Sequence, residues 1–380
     1  MINIHLYPTK MTHESRIFKI SDSINSQKIF DKIILLGINS NNDLPKSEKI
    51  RENIYIERMN ISSEIWISGK SYEKINALIK FWILSFYNLF KKKPSVINVH
   101  NLASLPPATL CKLFFKTKIV YDTHELETER QGWNSLYLVI SKFIEKTLIY
   151  FCDEIVVVTQ PIASYYQEKY SINPVVVQNV PKYVEVEKSD YLRKKFQINA
   201  NKKIYLFVGN ITLKRGVKGY LDFFSKTNLP VNLVFLGDGL DMEVVKDYVN
   251  KFENIFYHPS VSYDKIFDII SSADFTLLSL SVENESLSYR YSLPNKLFES
   301  IMAGTPVIGG GLLYQSTFVE ENKIGCNIFN NTFSSIEKAI NSSLDLDKIK
   351  LSERCKELSK VYNWENEEEK IKRYLYKLVN

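Results

Sequence analysis

Short, unbroken apolar segments recur along this sequence, each followed by a longer stretch with helical spacing, and no other feature constrains the fold as strongly. "INIHLY" (residues 2–7), "KIILLG" (32–37), "SVINVH" (95–100), "KIVYDTH" (118–124), "EIVVVT" (154–159) and "PVVVQN" (174–179) form one series. A strand with one wet face alternates apolar and polar residues. An unbroken run has no wet face, so these strands are expected in a parallel sheet covered by helices on both sides. The rhythm then restarts with "KIYLFVGN" (203–210), "VNLVFLGDG" (231–239), "NIFYHPSV" (254–261), "ADFTLLSL" (273–280) and "TPVIGGG" (305–311). The chain is therefore read as α/β, one doubly wound architecture used twice. Sheets of this kind bind ligands beyond the carboxyl ends of their strands, so two of them facing each other predict a central cleft.

The length of 380 residues agrees with two cores. The expected division is an N-terminal domain over 1–180, a polar linker over 181–188 and a C-terminal domain over 189–362. A final segment, 363–380, should be helical, since "NWENEEEKIKRYLYKLV" places acids before bases, the order that suits a helix dipole. Hydrophobic residues make up 45% and charged residues 24%, which excludes a disordered chain. The net charge of +6 is uneven: residues 1–180 hold 22 Lys/Arg against 17 Asp/Glu, and 181–380 hold 27 against 26. Cys111, Cys152, Cys326 and Cys355 are scattered, with neither CxxC pairing nor histidine-rich surroundings, so no disulfide framework or zinc site is expected. The N-terminus reads as a strand rather than a secretion signal, and "FWILSFYNLF" (81–90) is about half the length of a membrane span. A cytoplasmic location is the expectation.

The segment "SYRYSLPNKLFESIMAGTPVI" (288–308) holds the densest local chemistry. Pro294 suits the first position of a helix, because a missing N–H costs nothing there. The amides of Asn295, Lys296 and Leu297 would then be free at the positive end of the dipole and would form an anion site. Lys296 adds a cation, and Glu299 a carboxylate that could accept bonds from a diol. A phosphate beside a ribose satisfies both; an ordinary amphipathic helix with a solvated Lys and Glu fits the same letters. "FVGNITLKRGVKGY" (207–220) follows a strand with a glycine turn and then supplies Lys214, Arg215 and Lys218, cations suited to a pyrophosphate or to a solvated loop. Gly237 in "LGDGLD" marks a further turn. In the N-terminal half, "VYDTHELETE" (120–129) places Asp122, His124 and Glu125 just past a strand, where His124 either bonds a sugar hydroxyl or a phosphate or serves as a structural histidine. His100 ends the preceding strand and is read as a supporting residue. No metal-ligand set stands out, because the D-x-D at Asp345–Asp347 lies in a late polar stretch.

Taken in order, these pieces resemble glycosyltransferase family 4, retaining enzymes of GT-B fold with two Rossmann-like domains, of the bacterial cell-surface polysaccharide type. "YDTHELETE" is similar to that family's Asp-x-His-Glu segment, "VGNITLKRG" to its glycine turn with a basic residue before Gly, and "LPNKLFESIMAGTPVI" to its nucleotide-site helix. The resemblance implies a hexosyltransferase-like, metal-independent enzyme whose donor, a nucleotide-diphosphate sugar, is a co-substrate rather than a cofactor. It implies donor binding by Gly209, Asn210, Arg215, Gly237, Pro294, Asn295, Lys296, Leu297 and Glu299, with His124, Arg215, Lys296 and Glu299 acting in catalysis. It further implies a saccharide acceptor, lipid-linked, in capsule, O-antigen or exopolysaccharide synthesis. Two departures stand out. Tyr291 occupies the place of the family's first carboxylate, eight residues before Glu299, leaving Glu283 or Glu285 as substitutes. The first loop, "YPTKMTHESR", has no glycine; His13 and Arg16 there, with Glu125, are assigned to the acceptor. A sugar-nucleotide 2-epimerase of GT-B fold and a catalytically silent sugar-nucleotide-binding protein are the alternatives.

On the acceptor side, Ile65–Lys118 carries nine lysines and one acid, Glu73. Within it, "SYEKINALIKFWILSFYNLFKKK" (71–93) sets Ile75, Leu78, Ile79, Trp82, Ile83 and Phe86 on one helical face and ends in Lys91, Lys92 and Lys93. That face either meets the inner surface of an anionic membrane or is buried in the domain with a solvated basic end. Nucleic acid is not an expected partner, since the lysines sit beside aromatics rather than along a polar stripe.

Overall fold

A computed structural model describes residues 1–39, 43–62, 64–129, 135–280 and 286–379. The chain forms two compact units, Met1–Asn179 with Glu367–Asn380, and Val180–Asn366. Both are α/β and both are built on a mostly parallel sheet.

The first unit contains β1 (Ile2–Leu6), β2 (Lys32–Asn39), β3 (Ser47–Arg51), β4 (Ile54–Asn60), β5 (Val96–Val99), β6 (Lys118–Asp122), β7 (Glu154–Val157) and β8 (Val175–Val176). They lie in the order β3-β4-β2-β1-β5-β6-β7-β8, with only β3 antiparallel to its neighbour. The β3–β4 hairpin is absent from the sequence reading, and its burial explains why. β3, "SEKIR", is an edge strand that alternates exposed and half-buried residues, so it has no apolar run to detect.

The second unit contains β9 (Lys203–Val208), β10 (Val231–Leu236), β11 (Ile255–His258), β12 (Phe275–Leu277), β13 (Val307–Gly309) and β14 (Gly325–Asn327), all parallel, in the order β11-β10-β9-β12-β13-β14. Successive residues of one strand supply different cores. Tyr205, Phe207, Leu233 and Phe235 pack in one cluster, while Ile204, Leu206, Val208, Val234 and Leu236 pack in another. Both faces are thus dry, which is why these strands read as unbroken apolar runs.

The glycine-free first loop is accommodated from outside itself. Met11 takes φ 55 and is fully buried. It fits against Gly37 of β2, where a Cβ would lie 2.7 Å from Met11 Cγ and 2.5 Å from the Thr9 carbonyl oxygen. The small residue sits on the neighbouring strand instead of in the turn. The C-terminal helix Trp364–Val379 is held to the first unit by its buried Glu367, which accepts from the Gln178 amide at 2.9 Å.

Candidate functional site

In the second unit the candidate donor residues gather where β9, β10 and β12 end. β9 runs into Gly209 (φ 109) and Asn210, and β10 into Gly237 (φ 140). A Cβ at Gly237 would come within 2.1 Å of the Gly209 carbonyl oxygen, so the two turns require this residue to have no side chain. Arg215 ends a short 3-10 turn, and its carbonyl accepts the Leu280 amide at 3.1 Å, tying this loop to the chain beyond β12. Gly216 (φ 74) allows that approach, since a Cβ there would meet Leu280 Cβ at 2.3 Å.

The helix Asn295–Met302 starts after Pro294, which serves as its N-cap. Its eight residues bury Lys296, Leu297 and Phe298. Lys296 is the unusual member. Its Nζ lies 3.8 Å from the centroid of the Phe207 ring and 3.4 Å from Ser279 Oγ, and its Cε lies within 4.0 Å of where a Gly209 Cβ would be. Among the described residues no carboxylate reaches ion-pair distance of it. Burial, joined by the charge of Arg215, pulls this ammonium down to about 7, with Glu299 acting in the opposite sense. A buried cation without an anion is costly unless something brings one.

Two expectations change here. The Leu297 amide donates to the Pro294 carbonyl at 3.0 Å, so it is not one of the free donors at the helix start. Lys218 is exposed and pairs with Asp222 at 3.0 Å, one turn along its own helix. The side chain of Lys214, and Glu283 and Glu285 as substitutes for the first carboxylate, lie outside what is described. Tyr291 closes the short helix Leu287–Arg290.

In the first unit a histidine network sits at the ends of β1, β5 and β6. His5 Nδ1 is 2.8 Å from His100 Nε2, His100 Nδ1 is 3.0 Å from Asp122 Oδ2, and His124 Nε2 is 3.3 Å from the same oxygen. Arg16 completes it: Nη2 reaches Asp122 Oδ1 at 2.6 Å, Nε reaches Oδ2 at 3.1 Å, and Nη1 donates to the Val177 carbonyl at 2.8 Å. Burial alone would raise the Asp122 carboxyl, but the Arg16 charge and the two histidines hold it well below the usual range. Burial lowers His100 to about 4 and His5 well below its ordinary value, so both are neutral rings.

The tautomers follow. A carboxylate only accepts, so His100 turns its Nδ1–H toward Asp122; the same Nδ1 lies 3.2 Å from His124 Nε2, which can accept from it. His100 Nε2 is then a lone pair and takes the proton of His5 Nδ1. His124 is the accessible member, with a side chain 24% exposed, while His100 and Asp122 are buried. The same three ligand atoms, from His100, Asp122 and His124, lie within 4.8 Å of one another, a spacing that suits a metal ion. The sequence reading had no such set. Asp122 is already neutralised by a guanidinium in contact with it, which makes the cluster a poor cation site.

Arg16 is therefore placed otherwise than the acceptor assignment had it: it is 4% exposed, and its donors are spent on Asp122 and Val177. His13 is exposed and bonds its neighbour Thr12 at 2.9 Å. Glu125 is half-buried, and its carbonyl accepts from the Thr123 hydroxyl. His5 escaped notice in the sequence because nothing local marks it: it becomes significant only when β1 and β5 pair and bring it to His100, 95 residues away.

Residues 188–361 match the family model of the glycosyl transferases group 1, so the second unit carries a domain of that group. No curated protein sequence matches the chain. In fold it is similar to GT-B enzymes over nearly its whole length. Sucrose-phosphate synthase from Thermosynechococcus elongatus aligns with 14% identity, a TM-score of 0.78 and coverage of 99% of this chain and 98% of that one. HepE from Anabaena, solved in complex with UDP-glucose, aligns with 10% identity and a TM-score of 0.70, covering 99% and 100%. WaaG, a glycosyltransferase involved in lipopolysaccharide biosynthesis, aligns with 13% identity and a TM-score of 0.65, covering 97% and 98%.

Proposed function

From a second unit that carries a glycosyl transferases group 1 domain, we infer that the chain is a retaining glycosyltransferase moving a sugar from a nucleoside diphosphate to a saccharide acceptor. The observation that carries this reading is Lys296. An ammonium buried against Phe207 and unpaired by any described carboxylate, on the first turn of a helix, calls for a multiply charged anion from outside. The glycine turn at 209 leaves room for one to approach the backbone, since a Cβ there would meet only Lys296 Cε, at 4.0 Å. The fold likeness to HepE, which was solved with UDP-glucose, supports a nucleoside diphosphate sugar.

In this reading Glu299 accepts the ribose hydroxyls, and Lys296 and Arg215 face the diphosphate. The acceptor hydroxyl attacks the anomeric carbon on the face the diphosphate is leaving. The carbon–oxygen bond to phosphate breaks, the glycosidic bond forms, and the acceptor's proton passes to the departing diphosphate. Charge grows on that leaving group, where fixed cations and a helix N-terminus contribute most. The charge compensation is assigned to these side chains, with no metal step and no resident cofactor. His124 meets a sugar hydroxyl, and Arg16 acts on it through Asp122 rather than by touching the acceptor. His13 and Glu125 are kept as acceptor contacts. The acceptor is taken to be a lipid-linked saccharide in capsule, O-antigen or exopolysaccharide assembly, a reading supported by the likeness to WaaG.

The test incubates the protein with a panel of nucleotide sugars, with and without lipid-linked saccharides extracted from membranes, and follows products by mass spectrometry. An acceptor heavier by one sugar residue supports transfer. Epimerised donor without a new acceptor product, or donor binding without turnover, overturns it.

A further inference from the structure

We propose that His5, wholly buried on β1, is a positioning residue for sugar transfer: through His100 it fixes the ring of His124, a role that rests on the reading of His124 as a contact to a sugar hydroxyl. β1 lies inside the sheet, between β2 and β5. A side chain there is expected to be apolar, as Ile4 and Leu6 on either side are. His5 is not, and its Nε2 has no hydrogen-bond partner among the described residues. A buried acceptor left without a donor costs stability, so packing alone does not account for an imidazole at this position. The side-chain bond that His5 does make runs to His100.

The sheet sets up that bond. β1 and β5 pair in parallel with His5 opposite Asn98, and His100 follows two residues later on the same side. The two imidazoles stack, with centroids 5.1 Å apart and 10° between their planes. Asp122 draws the His100 proton to Nδ1, and His5 supplies the donor that the opposite nitrogen then needs. Both rings therefore carry their proton on Nδ1. Held at both nitrogens, the His100 ring cannot turn about its Cβ–Cγ bond without giving up both bonds. A donor at Nε2 also polarises the ring and strengthens the bond that Nδ1–H makes on the far side. That side is where His124 sits, its Nε2 3.2 Å from His100 Nδ1 and its ring centroid 5.3 Å from that of His100. Burial keeps His5 and His100 uncharged, so the chain acts by orientation rather than by a change of charge.

Histidine nitrogen NMR on the full, isotope-labelled chain tests the first step without any variant. His5 and His100 should both show Nδ1 protonated and Nε2 bare, and a proton on Nε2 of either ring overturns the proposal. His5→Leu removes the donor. It should displace the His124 ring resonances and lower kcat for sugar transfer about 10- to 100-fold, with the donor KM within about twofold of wild type. His5→Asn, whose amide can place an N–H close to where Nδ1 stands, should recover most of both. Unmoved His124 resonances in His5→Leu, or an equal loss in the two variants, overturns the proposal. An active protein whose kcat is unchanged by His5→Leu overturns this inference alone. A wild type that transfers no sugar overturns the reading it rests on, and the resonances then still show whether His5 holds His124.

Discussion

Each unit buries a basic side chain, and the two are treated in opposite ways. In the first, Arg16 is matched at once: two atoms reach Asp122, a third reaches a backbone carbonyl, and the charge is cancelled within the domain. In the second, Lys296 is nearly as buried yet has only an aromatic face and one long contact to a hydroxyl. A buried charge with its partner built in supports structure; one left without a partner implies a ligand that brings it. The same contrast separates a side chain that acts through another from one that meets the substrate.

The largest expected effect breaks the paired side. Arg16→Met leaves Asp122 buried without its cation and should cost about 3 to 5 kcal/mol of stability in urea unfolding. The matching change on the other side, Lys296→Met, should leave stability equal or higher while slowing sugar transfer on the order of 100- to 1,000-fold. Loss of stability in both variants would dissolve the distinction.

A pH series sharpens it. Folding lowers the Lys296 ammonium from its ordinary value to about 7. Between that value and the ordinary one the unfolded chain binds a proton that the folded chain lacks, so this group makes stability rise with pH across that window and adds nothing to the slope below it. The difference in unfolding free energy between wild type and Lys296→Met should therefore change above pH 7 and be level below it. Donor binding should run the other way, weakening as pH rises through 7, because the diphosphate meets the protonated amine. Lys296→Met should flatten that dependence, as read by calorimetry. The smallest effect is expected at Lys218→Ala. This exposed pair with Asp222 contributes about 0.5 kcal/mol or less, and donor affinity should stay within about twofold.

Where sequence reasoning succeeded, the property read was local. The apolar runs showed both sheets because strands covered on both faces leave no polar register, and the glycine turns were visible as letters. The β3–β4 hairpin was missed for the same reason inverted: an exposed edge strand carries little apolar signal. Lys296 was visible as a cation at a helix start, but its burial against Phe207, 89 positions earlier, depends on β9 lying beside the helix. Arg16 read as a free side chain on the first loop, and its carboxylate partner is 106 residues away.

By itself, then, the sequence determined the two α/β sheets, the points where the backbone needs glycine, and which residue types could bind an anion, because hydrophobic period, turn chemistry and charge are properties of short segments. Tertiary structure alone decided which charges are cancelled, which histidine of the network stays accessible, and which face of the 71–92 helix stays wet. Those depend on pairs of side chains brought within bonding distance by strands and helices far apart along the chain.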